Sequence, residues 1–201
     1  MASPPSDLDR HTSIIDLDRP NPARIDNALL GGGYNFAADR RAAAALMAAD
    51  PTVARRLSAR GTILRRITSY ALDAGIRQFV HLGCGIPFPG GIHTVVQRRQ
   101  VAGRVVYVDD DPTVIDLICR VAGADPTITA MEADPVGGPA TVLDEQRIRW
   151  LIDENTPALV LSTRLSCQAL ARDGVLTCSV RLRPARILTN AEASRTGWCP
   201  P

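Results

Sequence analysis

The sequence predicts an α/β fold built on a parallel sheet, and three observations predict it. From Gln78 onward, short apolar runs of about five residues alternate with amphipathic stretches of about ten, the rhythm of strands joined by crossover helices. The first three runs are each followed by a glycine or a carboxylate, the residues that sit where an open parallel sheet receives ligands. Residues 23–75 carry helical periodicity only, so they precede the sheet as a helical segment.

The elements follow in order. Residues 1–22 contain Pro4, Pro5, Pro20 and Pro22 with no sustained period, and read as an extended N-terminal segment. A short helix is expected over Ala23 to Leu30, stopped by Gly31-Gly32-Gly33, and an alanine-rich helix over Asp39 to Ala49, stopped by Asp50-Pro51. Val53 to Ala74 forms a longer helix with Val53, Leu57, Ile63, Leu64, Ile67 and Leu72 on its apolar face and Gly75 as its stop. Strands are expected at Gln78–Leu82, Arg104–Val108, Thr127–Glu132 and Ala158–Ser162. Helices are expected at Ile92–Gln100, Thr113–Ala122 and Leu143–Ile152. Residues 23–75 thus make a helical cap and 76–171 a core, together one domain. From Arg172 the rhythm is lost in a tail, 172–201, with five arginines and two acids, in which Val175 to Leu182 has strand composition.

Composition narrows the function. The 201 residues are enough for one domain with a real core, at 45% hydrophobic and 22% charged. No apolar run approaches the ~20 residues of a membrane span, and the N-terminus has no apolar signal core, so a cytoplasmic location without membrane contact is expected. All 23 basic residues are arginine, which removes a P-loop lysine, a pyridoxal Schiff base and a lysine general base. Aromatics at 4% and a net charge of +2 argue against nucleic acid as a partner. The five cysteines have no metal-ligand spacing, so no metal is expected.

The stretch "FVHLGCGIPF", Phe79 to Phe88, carries the chemistry. Gly83 and Gly85 follow the first strand, Asp109 closes the second, and Asp134 follows the third. A dinucleotide site asks for G-x-G-x-x-G, whose third glycine lets a helix N-terminus face a pyrophosphate. Here that position is Phe88 between Pro87 and Pro89, so the phosphate cradle is poorly formed. S-adenosylmethionine has no phosphate. It asks for open backbone, a carboxylate for the ribose hydroxyls and a polar group for the adenine amine, to which Gly83 and Gly85, Asp109 and Asp134 correspond. Asp111 before Pro112 reads as a helix cap. Cys84 between the glycines reads as a backbone-positioning residue, because no base adjoins it. His93, the nearest candidate base, reads more simply as a solvated residue of a first helical turn. The glycine run at 31–33 exceeds what a helix stop needs and offers a lid.

The motifs "RPNPARIDNALLGGGYNFAADR" (Arg19 to Arg40), "GCGIP", "VYVDDDP" and Ala133-Asp134, in that order, resemble an actinobacterial S-adenosylmethionine-dependent methyltransferase family. The resemblance covers roughly Ile15 to Leu161. It implies a Rossmann-like class I methyltransferase sheet with a helical N-terminal extension. It also implies S-adenosyl-L-methionine as cofactor, lined by Gly83, Cys84, Gly85, Asp109, Asp110 and Asp134, with Arg24, Tyr34 and Asn35 brought near donor or acceptor. The implied function is methyl transfer to a small-molecule acceptor; no catalytic residue is assigned, and a homodimer is the candidate assembly. Two departures stand out. His81 occupies the place of an aspartate that orients the methionine end of the cofactor, and the short tail implies a truncated sheet lacking its last strands. The competing reading is a catalytically degenerate protein that binds S-adenosylmethionine or a partner, discriminated by whether residues after Ser162 add a paired fifth strand.

Overall fold

The computed structural model describes residues 16–87, 91–135, 152–153, 155–162, 177–182 and 186–187. Three helices come first: α1 (Pro22–Leu29), α2 (Ala37–Ala49) and α3 (Val53–Asp73). Pro22 at the first helical position and the Asn21 side chain, which accepts from the Ala23 and Arg24 amides, start α1. On α3 the buried positions are Val53, Leu57, Gly61, Leu64, Thr68, Ala71 and Leu72, a 3.6-residue stripe. Ile63, expected on that face, is 45% exposed because the stripe runs one position away from it.

The sheet follows. Strands β1 (Gln78–Leu82), β2 (Arg104–Asp109), β3 (Ile128–Glu132) and β4 (Ala158–Ser162) are connected through α4 (Ile92–Arg98) and α5 (Pro112–Ala122), and all four are parallel. Observed ends differ from the expected ones by a residue or two, the usual fraying. The expected helix Leu143–Ile152 lies outside the described residues except for Ile152. Strand order is β3-β2-β1-β4-β5-β6, with β5 (Thr177–Leu182) antiparallel to β4 and β6 (Arg186–Ile187) antiparallel to β5. A paired fifth strand therefore exists, and it falls within the stretch of strand composition at Val175 to Leu182.

The order puts β1 and β4 at the centre, and their residues are buried on both sides, as parallel strands require. One face, Phe79, Val105, Tyr107, Leu159 and Leu161, packs against Leu64 and Leu72 of α3, Ile92 and Val96 of α4, and Val114 and Ile118 of α5. The other face buries Val80, Leu82, Val106, Val108, Met131 and Val160 with Ile152. A separate cluster of Ile25, Leu29, Ala43, Val53 and Leu57 holds α1, α2 and α3 together as the cap. The expected fold class, an α/β sheet with a helical N-terminal extension, is the one observed.

Candidate functional site

At the C-terminal ends of β1 and β2 the backbone turns sharply. Gly83 and Gly85 have φ of 60° and 66°, which a side chain would oppose at about 1–2 kcal/mol, so glycine is what permits the turn. The Gly83 and Cys84 amides donate to the Val108 carbonyl at 2.8 and 3.3 Å, tying the turn to the neighbouring strand.

Asp109 organises what faces that turn. It is 5% exposed. Its Oδ2 accepts the Gly85 amide at 2.8 Å and its Oδ1 the Asp111 amide at 3.1 Å. Burial pushes its carboxyl above the usual range, the two amide donors pull the other way, and Asp110 and Asp111 add repulsion. Each carboxylate oxygen has a second lone-pair direction, so Asp109 keeps accepting capacity for a diol. Cys84 Sγ lies 3.8 Å from the same carboxylate. Burial and the charge of Asp109 raise its thiol well above the ordinary value, which keeps it protonated and unreactive.

Asp110 is exposed between β2 and α5. Asp111 caps α5, accepting the Thr113 amide at 2.8 Å, as its place before Pro112 predicts. The Ala133 amide donates to the Asp109 carbonyl at 3.0 Å, which brings exposed Asp134 to the same end of the sheet. Gly83, Cys84, Gly85, Asp109, Asp110 and Asp134 therefore gather at one edge.

The N-terminal residues behave differently. Arg24 is 4% exposed. Its Nε donates to Asp39 Oδ2 at 3.0 Å, and its Nη2 donates to the carbonyls of Asp16 and Arg19 at 3.2 and 2.8 Å. Nη1 lies 3.8 Å from Asp111 Oδ2, and the guanidinium covers the Phe36 ring at 5.3 Å. Arg24 thus reaches the site as a strut from the cap to the N-cap of α5. Asn35 donates to Asn27 Oδ1 and the Gly32 carbonyl and accepts from Arg40, which pins the glycine run against α1. A Cβ on Gly32 would lie 2.2 Å from Asn27 Nδ2, so that contact needs glycine. Tyr34 is 58% exposed, and its amide donates to Asn27 Oδ1.

Between the cap and the turn lies a cavity of about 120 Å³, lined among others by Ala23, Asp26, Asn27, Arg60, Cys84 and Gly85. The sequence reading missed Asp26 and Arg60. Their ion pair joins α1 to α3 at 2.9 Å, across thirty-four residues that no local motif spans.

Beneath the turn sit two histidines. His81 is 3% exposed, its ring 5.9 Å from that of Tyr107, and burial, with the charge of Arg60, lowers its pKa to about 3. His93 is buried on α4 where solvent was expected. Its amide donates to Tyr107 Oη at 3.1 Å and its Nδ1 lies 2.7 Å from that oxygen. Burial lowers its pKa, and Nδ1 is engaged with the Tyr107 hydroxyl inside the fold.

Comparison with known proteins agrees with this arrangement. The family model of S-adenosyl methyltransferases matches residues 9–175. The crystal structure of a candidate methyltransferase from Thermobifida fusca superposes with a TM-score of 0.67 at 35% identity, over 71% of this chain and 54% of that one, so this chain spans about half that relative's length. A member of domain-of-unknown-function family 574 from Streptomyces avermitilis has the same fold, with a TM-score of 0.67 at 24% identity over 89% of this chain and 82% of its own. No curated protein matches. A match that runs through the cap, the glycine turn and the four parallel strands has one meaning: the chain belongs to the S-adenosyl methyltransferase family, whose cofactor is S-adenosylmethionine.

Proposed function

We propose that this protein transfers the methyl group of S-adenosylmethionine to a small-molecule nucleophile, binding the cofactor across the ends of β1, β2 and β3. The observation that carries the reading is the buried Asp109 carboxylate, hydrogen-bonded to the Gly85 amide and closing the turn onto the strand beside it. In the proposed pose Gly83, Cys84 and Gly85 offer open backbone, Asp109 accepts from the ribose hydroxyls and Asp134 from the adenine amine, with Asp110 at the rim. The cap covers the turn, Arg24 fixing its position while Tyr34 and Asn35 stand on the acceptor side.

The bound cofactor supplies an activated methyl carbon. The acceptor's lone pair forms the new bond to that carbon, the carbon–sulfur bond breaks with its electrons going to sulfur, and the acceptor's proton leaves to solvent or a base. The protein's part is then proximity and in-line orientation, which can lower a barrier by ~7–11 kcal/mol. Neither His93 nor Cys84 is arranged as a base or nucleophile.

Isothermal titration of the full chain with S-adenosylmethionine and with NAD tests the reading. Saturable binding of S-adenosylmethionine and none of NAD is expected. Binding of NAD alone, or of neither, would contradict it.

A further inference from the structure

The cavity between the cap and the glycine turn, at about 120 Å³, is well short of the ~300 Å³ from which pockets for whole small molecules begin. It fits one end of a ligand. Of the described side chains that line it, two carry charge, Asp26 and Arg60, and the others are apolar or neutral: Ala23, Leu30, Leu64 and Ile86, with the Cys84 thiol held protonated. Asn27, also on the wall, spends its amide oxygen on the Tyr34 amide and the Asn35 side chain. The cavity thus offers one cation and one anion, 2.9 Å apart, on walls that otherwise interact weakly with charge.

That pair is costly to keep for structure alone. Its side chains are 19% and 16% exposed, so both ions have lost most of their hydration, and a pair so withdrawn from water adds little net stability. The same withdrawal strengthens its hold on a ligand's opposite charges. A guanidinium and a carboxylate side by side are the complement of an α-amino acid zwitterion: the planar fork receives a carboxylate, and the acid receives an ammonium. His81 at the end of β1 is buried and neutral and brings no charge for an ammonium there.

We propose that this cavity is the subsite for the amino-acid end of the cofactor, with Arg60 receiving its carboxylate and Asp26 its ammonium. The proposal rests on the cofactor reading above and adds that the helical cap supplies the charges that read the methionine half, while the sheet reads the nucleoside. Gly85 faces Ala23 of α1, whose Cβ lies 4.0 Å from where a Gly85 Cβ would stand, so the cap sits directly on the turn.

Three ligands separate the halves: S-adenosylhomocysteine, its decarboxylated analogue, and 5′-methylthioadenosine, which keeps the nucleoside and lacks the amino acid. In the parent chain, S-adenosylhomocysteine is expected to bind about tenfold or more tighter than either analogue, the loss typical of a charge-assisted hydrogen bond. Arg60→Gln and Asp26→Asn should each remove most of that preference while leaving 5′-methylthioadenosine within about twofold of its parent affinity. Equal binding of the three ligands by the parent would overturn the subsite without any variant. A parallel loss for all three in the variants would reduce the pair to a fastening of the cap, and no loss would also overturn the proposal. If none of the three bound the parent, the cofactor reading would fall first and the subsite with it.

Discussion

Asp109 answers two opposed demands. The proposed function asks for an ionised acceptor at the end of β2, whereas burial disfavours the ion, so its folded pKa lies above the unfolded value. The sign follows: the native state holds the proton more tightly, so its contribution to stability declines as pH rises from the unfolded carboxylate range through the raised value. His81 works in the other direction. Its folded pKa of about 3 lies below the unfolded 6.5, so the unfolded chain binds the extra proton between those values and stability falls as pH drops through that window. Replacing His81 by Leu should therefore flatten the acid limb of a denaturation series by about 1.4 kcal/mol per pH unit below pH 6.5. An unchanged slope would mean that His81 is hydrated in the native state. At this scale the sequence was readable where chemistry coincides with a strand end, as at Asp109. It was silent where two helices create the pairing, as at Asp26 and Arg60. It misjudged the surroundings of His93, because Tyr107 lies a strand away and buries what a first helical turn would expose.

Among the elements, the cap depends on Arg24. One guanidinium joins the segment before α1, the start of α2 through Asp39, and the N-cap of α5 through Asp111. Asp39 is 0% exposed and also accepts the Asn21 and Phe36 amides, with Arg24 as the cation beside it. Arg24→Met leaves that carboxylate buried without its cation and should cost about 3–5 kcal/mol in chemical denaturation. Arg24→Lys should recover only part of the loss, since a point charge cannot reach Asp39 and two carbonyls at once. Full recovery with Lys would assign the tie to charge alone. The elements themselves were legible, because apolar spacing and proline or glycine punctuation set them locally. The position of the α3 stripe relative to Ile63 and the antiparallel course of β5 were not, since both depend on what packs alongside.

For the whole molecule, α3 packs on one face of the sheet and the glycine turn lies against α1 and α3, so a ligand held at that turn should stabilise cap and sheet as one unit. The parallel order, the turn and the strand-end carboxylates were all legible in the sequence, because in an open sheet the topology itself decides which residues come together. The position of the cap against the turn was not, because it depends on Arg24 reaching Asp111 at the start of α5 and on the α3 stripe packing on the sheet rather than on any repeat. The most direct test of the account is a thermal melt of the full chain with and without S-adenosylhomocysteine, beside Asp109→Ala. A ligand at about a hundred times its Kd adds ~2.7 kcal/mol. For a chain of this size each kcal/mol raises Tm by about 2–4 °C. The account predicts that shift in the parent and its loss in Asp109→Ala; a cooperative parent melt that saturating ligand leaves unmoved would contradict it.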